Sequence, residues 1–138
     1  MTELELMRSR VESARVGRLA TLDARGRLDL VPICFTLDGD TLYSAVDEKP
    51  KRTKRLKRLE NIRAHPSVTV LVDHYEEDWA RLWWVRLRCE GHVLEEGRER
   101  EHALARLAEK YAQYRREPPT GAVIRLAVLE WVGWSADP

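Results

Sequence analysis

Three stretches of this chain repeat their apolar positions at the helical period, and most of the rest consists of short strand-like apolar runs set between turn residues. Residues 3–15 carry Leu4, Met7, Val11 and Ala14 on one helical stripe, which predicts a short opening helix. "GRLATL" and "LDLVPICFTL" then flank "DARGR", a turn with Gly26 inside it, and this reads as a β-hairpin. "LVPICFTL" and "TLYSAV" flank "DGD" at 38–40, and Asp-Gly between strand-like runs is a strong hairpin signal. The two turns predict three consecutive antiparallel strands.

A polar helix with a narrow stripe of Leu56, Leu59 and Ile62 follows, and Pro66 ends it, because the residue before a proline avoids helical geometry. "SVTVLVD" (67–73) reads as a fourth strand. In "RLWWVRLRCEGHVLE", Trp83, Val85, Leu87 and Cys89 alternate with Trp84, Arg86, Arg88 and Glu90, the pattern of a strand with one buried face. Gly91 within it marks a bulge or a close approach. Residues 98–115 form another amphipathic helix through Leu104, Leu107, Ala108 and Tyr111. "EPPTG" breaks that helix, and "AVIRLAVLEWVGW" is the last strand. The pattern predicts a mainly β fold, a single domain over 1–138. It is a six-stranded antiparallel Greek-key barrel with three short helices at its edges.

Charge sharpens this picture. "KPKRTKRLKR" (49–58) places seven cations in ten positions, yet the net charge is only +1, because "DHYEED" and "EEGRERE" offset the run. A dedicated nucleic-acid binder is usually basic over its whole domain, so the local excess points to a small anionic ligand. Charged residues make up 34% and apolar residues 43% of the chain, which excludes a disordered polymer. The acidic, amphipathic start "MTELELMRSR" does not read as a signal peptide. No apolar run has the length of a membrane span. Cys34 and Cys89 sit in strand-like segments without CxxC spacing, as reduced core thiols of a cytosolic protein do.

The sequence contains no GxSxG, P-loop, GxGxxG or HExxH motif. Four histidines (His65, His74, His92 and His102) have no metal-ligand spacing, and His74 with Asp73, Glu76 and Asp78 reads as a solvated acidic loop. Only the basic run stands out. Pro50 suits a helix's first turn, which puts Lys49, Lys51 and Arg52 at the positive end of the helix dipole. Cations there are disfavoured by roughly 0.3–1 kcal/mol each unless an anion sits among them. Thr53 adds a hydroxyl and the first turn adds free N–H groups, so the stretch reads as a phosphate or carboxylate socket. Lys54, Arg55 and Lys57 read as a solvated helix face.

Four pieces in this order resemble the flavin-binding split-barrel superfamily of pyridoxamine 5'-phosphate oxidase. They are "LATL" with a Gly turn, "VPICF", the basic strand-to-helix turn ending in "RLENIRAHPSV", and "EGHV". The chain looks most like the actinobacterial branch that uses the deazaflavin coenzyme F-420. The resemblance implies a homodimer with the cofactor in a cleft between protomers. It places the cofactor phosphate on Lys49, Lys51, Arg52 and Thr53, and Arg58 matches a basic-x-x-Asn position with Asn61. It places the flavin ring around Pro32, Ile33, Cys34, Ser44 and Ala45, and the family's tryptophan falls on Trp79 or Trp84. The function implied is a reductase that passes hydride from reduced F-420 to a small electrophilic substrate. The alternatives are an FMN-dependent oxidoreductase and a flavin- or deazaflavin-binding protein without turnover. No catalytic acid, base or metal ligand is assigned, and no nucleic-acid or membrane partner is expected.

Overall fold

The computed structural model describes residues 1–46 and 52–137, with residues 52–56 described as backbone. Helix α1 (Glu3–Ser13) opens on a capping box. The Thr2 hydroxyl accepts from the Glu5 N–H while the Glu5 carboxylate accepts from the Thr2 N–H. Strands β1 (Gly17–Leu22) and β2 (Leu28–Ile33) form the first hairpin, and Gly26 takes a φ of 77° in its turn. Strands β3 (Thr36–Asp38) and β4 (Thr41–Ala45) form the second around Gly39, whose φ is 61°. Helix α2 (Arg52–Ala64) stops two residues before Pro66. Then come β5 (Ser67–His74), a 3-10 turn at Trp79–Arg81, and β6 (Trp83–Leu94). Helices α3 (Arg98–Lys110) and α4 (Ala112–Arg116) precede β7 (Val123–Ser135).

The described strands make one antiparallel sheet in the order β2-β1-β5-β6-β7-β4-β3. Its two edge strands, β2 and β3, are consecutive in the chain, separated by only Cys34 and Phe35. Three residue steps span at most about 11 Å, so the two edges must come together and the sheet must curl. The result is the expected split barrel, mainly β with helices at its edges.

Among the described residues the strand count is seven rather than six, because "LVPICFTL" is not continuous. At Cys34–Phe35 the chain turns from one wing of the sheet to the other. Phe35 is fully buried at this corner, and its N–H donates to the Tyr111 hydroxyl at 3.0 Å. That hydroxyl shares its own proton between the carbonyls of Arg15 (2.9 Å) and Phe35 (3.0 Å). Tyr111 can do this because the helix expected over 98–115 breaks there into extended geometry, φ −117° and ψ 118°.

Inside the barrel, Leu19, Phe35, Leu42, Val70, Val72, Leu87, Ile124 and Leu126 are all fully buried. The β6 face expected to be buried is so at Val85, Leu87 and Cys89, while Trp83 is half-buried. Cys34 and Cys89 are both free thiols, as expected, and burial pushes Cys89 up to about 12. Leu59 and Ile62 seat α2 in the same core cluster. Gly91 is a close approach. A Cβ there would lie 2.9 Å from Ile62 Cγ2, and its N–H donates to the Pro66 carbonyl at 2.8 Å. The bulge in this ladder lies earlier, between Arg88 and Cys89.

Two half-buried tryptophans, Trp131 and Trp83, are covered by cations from α1. Arg8 lies 5.0 Å over the Trp131 ring and Arg10 lies 5.2 Å over Trp83.

Candidate functional site

The ring-contacting residues proposed from sequence sit around the Cys34 corner. Ser44, on β4, donates its hydroxyl to the Cys34 carbonyl at 2.8 Å and ties the two wings of the sheet together. Ile33, Ser44 and Ala45 are buried by the chain itself, whereas Pro32 is exposed and Cys34 half-buried. Pro32 and Cys34 are therefore the two of these five that offer surface to a ligand. Lys49 and Lys51 lie outside the described residues. Arg52 and Thr53 open α2, the element that follows β4, as the strand-to-helix reading requires.

Arg58 lines a cleft of about 250 Å³ between α2 and the β1–β2 hairpin, shared with Thr21, Asp29, Leu30, Lys57 and Asn61. Asn61 is 4% exposed and donates to the Thr21 hydroxyl at 3.1 Å and to Asp29 at 2.7 Å. Its role in the chain is to lock α2 onto the hairpin. Lys57, expected on a solvated face, is half-exposed as read but also paired, with Asp29 at 3.3 Å and Asp23 at 3.9 Å.

Trp79 and Trp84 lie apart from the Cys34 corner within one chain. Trp79 is 66% exposed on the loop after β5. Trp84 is half-buried on the outer face of β6, opposite Trp134 in the ladder, with Arg86 stacked on it at 5.6 Å. Among the described residues no cluster of His, Cys, Asp and Glu could hold a metal ion, and no helix is long and apolar enough to cross a membrane.

Sequence reasoning missed Lys110. It ends α3, three residues after the buried Leu107, and so occupies the apolar stripe of that helix. Its Nζ is enclosed, without a hydrogen-bond partner, 4.1 Å over the Phe35 ring and 5.5 Å from the centre of the Tyr111 ring. Burial, and next the Arg15 cation, push its ammonium down from the ordinary 10.5 to about 8, against the opposing pull of Cys34 and Glu12. The signal was present as a lysine on an apolar face.

This shift sets a pH dependence. Between about pH 8 and 10.5 the unfolded chain holds a proton on Lys110 that the folded chain has released. Stability from this group therefore rises with pH across that window, and the full penalty applies below it. Because the side chain is only half-buried, solvent screening reduces the penalty to roughly 1–2 kcal/mol. Lys110→Met is expected to raise Tm at pH 7 by about 3–8 °C and to flatten the rise between pH 8 and 10.5. Thermal melts at several pH values check this. An unchanged Tm at pH 7 would mean that the ammonium is solvated.

The fold is shared widely. A conserved hypothetical protein from Mycobacterium tuberculosis superposes with a TM-score of 0.76 at 18% identity, over 99% of this chain and 86% of that one. An FAD-binding protein from Mesorhizobium loti gives 0.70 at 21% identity, over 96% and 94%. HutZ, the heme storage protein of Vibrio cholerae, gives 0.70 at 14% identity, over 96% and 92%. No protein of curated function matches the sequence. Residues 4–135 match the pyridoxamine 5'-phosphate oxidase family, and with the curled antiparallel sheet, the strand-to-helix order after β4 and the Cys34 corner in place, the chain belongs to that family.

Proposed function

We propose that this protein is a reductase that binds the deazaflavin coenzyme F-420 and passes its hydride to a small electrophilic substrate. The observation that carries this reading is the family match over nearly the whole chain, together with a seven-cation run entering α2 directly after β4. Such a run at a helix's positive end calls for an anion, and a cofactor phosphate supplies one. In this reading the cofactor supplies the redox chemistry. The chain's own residues hold its phosphate, at Lys49, Lys51, Arg52 and Thr53, and offer Pro32 and Cys34 to its ring. FMN is the alternative occupant, since it presents the same phosphate.

The test is titration of purified protein with F-420 and with FMN, followed by fluorescence. Micromolar or tighter binding of F-420, with FMN weaker, is the expected result. Binding of neither would end this reading, and tighter binding of FMN would transfer it to a flavin enzyme.

A homodimer with the cofactor cleft between protomers is part of the proposal. It would bring Trp79 or Trp84 of one copy towards the corner of the other, which one chain does not do. The outer face of β2, β1 and β5 supports it. Leu28 and Leu30 are 74% and 68% exposed, Leu71 is 37% exposed, and Leu30 stands opposite Ala20 in the ladder. Apolar side chains so placed suit an interface core. Light scattering at micromolar concentration should give twice the chain mass. A monomer with and without cofactor would remove the between-protomer cleft.

A further inference from the structure

The Cys34 corner is backed by positive charge that the described residues leave unpaired. Lys110 Nζ is enclosed over the Phe35 ring, and Phe35 directly follows Cys34. Arg15 lies 4.9 Å over the Tyr111 ring, on the same aromatic pair. The ionisable groups acting on Lys110 are Arg15, Cys34 and Glu12, with the Tyr111 hydroxyl next to them. Among the described residues neither cation has a carboxylate within ion-pair distance, whereas Arg8, Arg18, Arg63 and Arg88 all do. Aromatic faces attract an ammonium but do not neutralise it. Its field, although partly screened at this half-buried position, therefore reaches towards whatever lies on the corner, and contact is not required.

We propose that Lys110, backed by Arg15, tunes the charge preference of this corner, so that a planar redox cofactor lying on it is held more tightly in its reduced form, which carries one more negative charge, than in its oxidised form. The inference rests on the function proposed above. The charge balance is simple. An oxidised ring that takes up a hydride without a proton gains one unit of negative charge, and the wall behind Cys34 favours that state. Lys110 is thus a positioning residue acting through space.

The experiment uses whichever of F-420 or FMN binds, with affinities measured for the oxidised form and, anaerobically after dithionite, for the reduced form. Wild type is compared with Lys110→Met, Lys110→Arg and Arg98→Gln, the last removing an exposed cation from the same helix. Lys110→Met should lose about tenfold of the preference for the reduced form, equivalent to a potential lowered by about 30 mV for a two-electron couple. Lys110→Arg should keep that preference, and Arg98→Gln should stay within twofold of wild type. An unchanged ratio in Lys110→Met, or an equal loss in Arg98→Gln, overturns the inference while leaving cofactor binding intact. If wild type binds neither cofactor, the proposed function fails and this inference falls with it.

Discussion

Gly91→Val should destabilise the fold by about 3 kcal/mol or more, a large share of the 5–15 kcal/mol typical of a domain. The cause is space, since Gly91 does not take a left-handed φ. A Cβ at this position would lie 2.9 Å from Ile62 Cγ2, 3.4 Å from Leu126 Cδ2 and 3.6 Å from the Pro66 carbonyl. Ile62 and Leu126 are fully buried and cannot swing into solvent. The two γ-methyls of valine extend the clash, so α2 must lift from the sheet or β6 must bend. Either movement also strains the Gly91 N–H bond to Pro66. Gly133→Ala is the control, because the atom in its way is the Met7 sulfur, the flexible end of a side chain. Urea unfolding of both variants measures the difference. A Gly91→Val midpoint close to wild type would mean that α2 packs more loosely than described.

The second large effect concerns cofactor affinity. Lys51→Ala should weaken F-420 or FMN binding about ten- to a hundredfold, through loss of one charge-assisted hydrogen bond worth roughly 1.5–3 kcal/mol. Lys57→Ala should change it less than about threefold, through screened charge alone. The structure supports the contrast on the Lys57 side, since that ammonium is already engaged by Asp29 and Asp23. Both variants should fold, as neither residue belongs to the Leu59–Ile62 stripe. Fluorescence titration of wild type and the two variants decides it. Equal losses would make the run a diffuse basic patch and would remove the socket.

Apolar runs set between turn residues were enough to find nearly every strand, and period-two alternation gave β6 its buried face. Val85, Leu87 and Cys89 show that alternation. Reading by runs failed at "LVPICFTL", where an unbroken apolar run hides a corner. What bends the chain there is the Tyr111 hydroxyl, 76 residues away, and no local pattern records a partner at that distance. The break at Tyr111 was hidden for the same reason, since Leu107, Ala108 and Tyr111 continue a helical stripe up to and through it. The candidate site divides along similar lines. Basic residues clustered in sequence pointed to a phosphate, and Asn61 came with the family pattern. Its grip on Thr21 and Asp29 depends on the hairpin folding back across α2, which spacing alone does not encode. Lys110 is the reverse case, since its place on an apolar helix face was readable from the start.

The order of strands in the sheet also bears on how the chain assembles during synthesis. The hairpin of β3 and β4 is complete by Ala45, yet β4 has one further neighbour, β7, and Thr41 pairs with Ala127. That hairpin leaves the ribosome early and has no sheet to join until the last strand has emerged. The β1–β2 hairpin, by contrast, gains its neighbour β5 by His74. One wing can therefore dock while the other waits with Leu37 and Leu42, both buried in the finished fold, still uncovered. Pairings this distant in sequence close slowly, and exposed apolar hairpins are aggregation-prone while they wait. Arrested nascent chains ending before β7 should bind chaperones through the β3–β4 segment, and chains extending past it should release them.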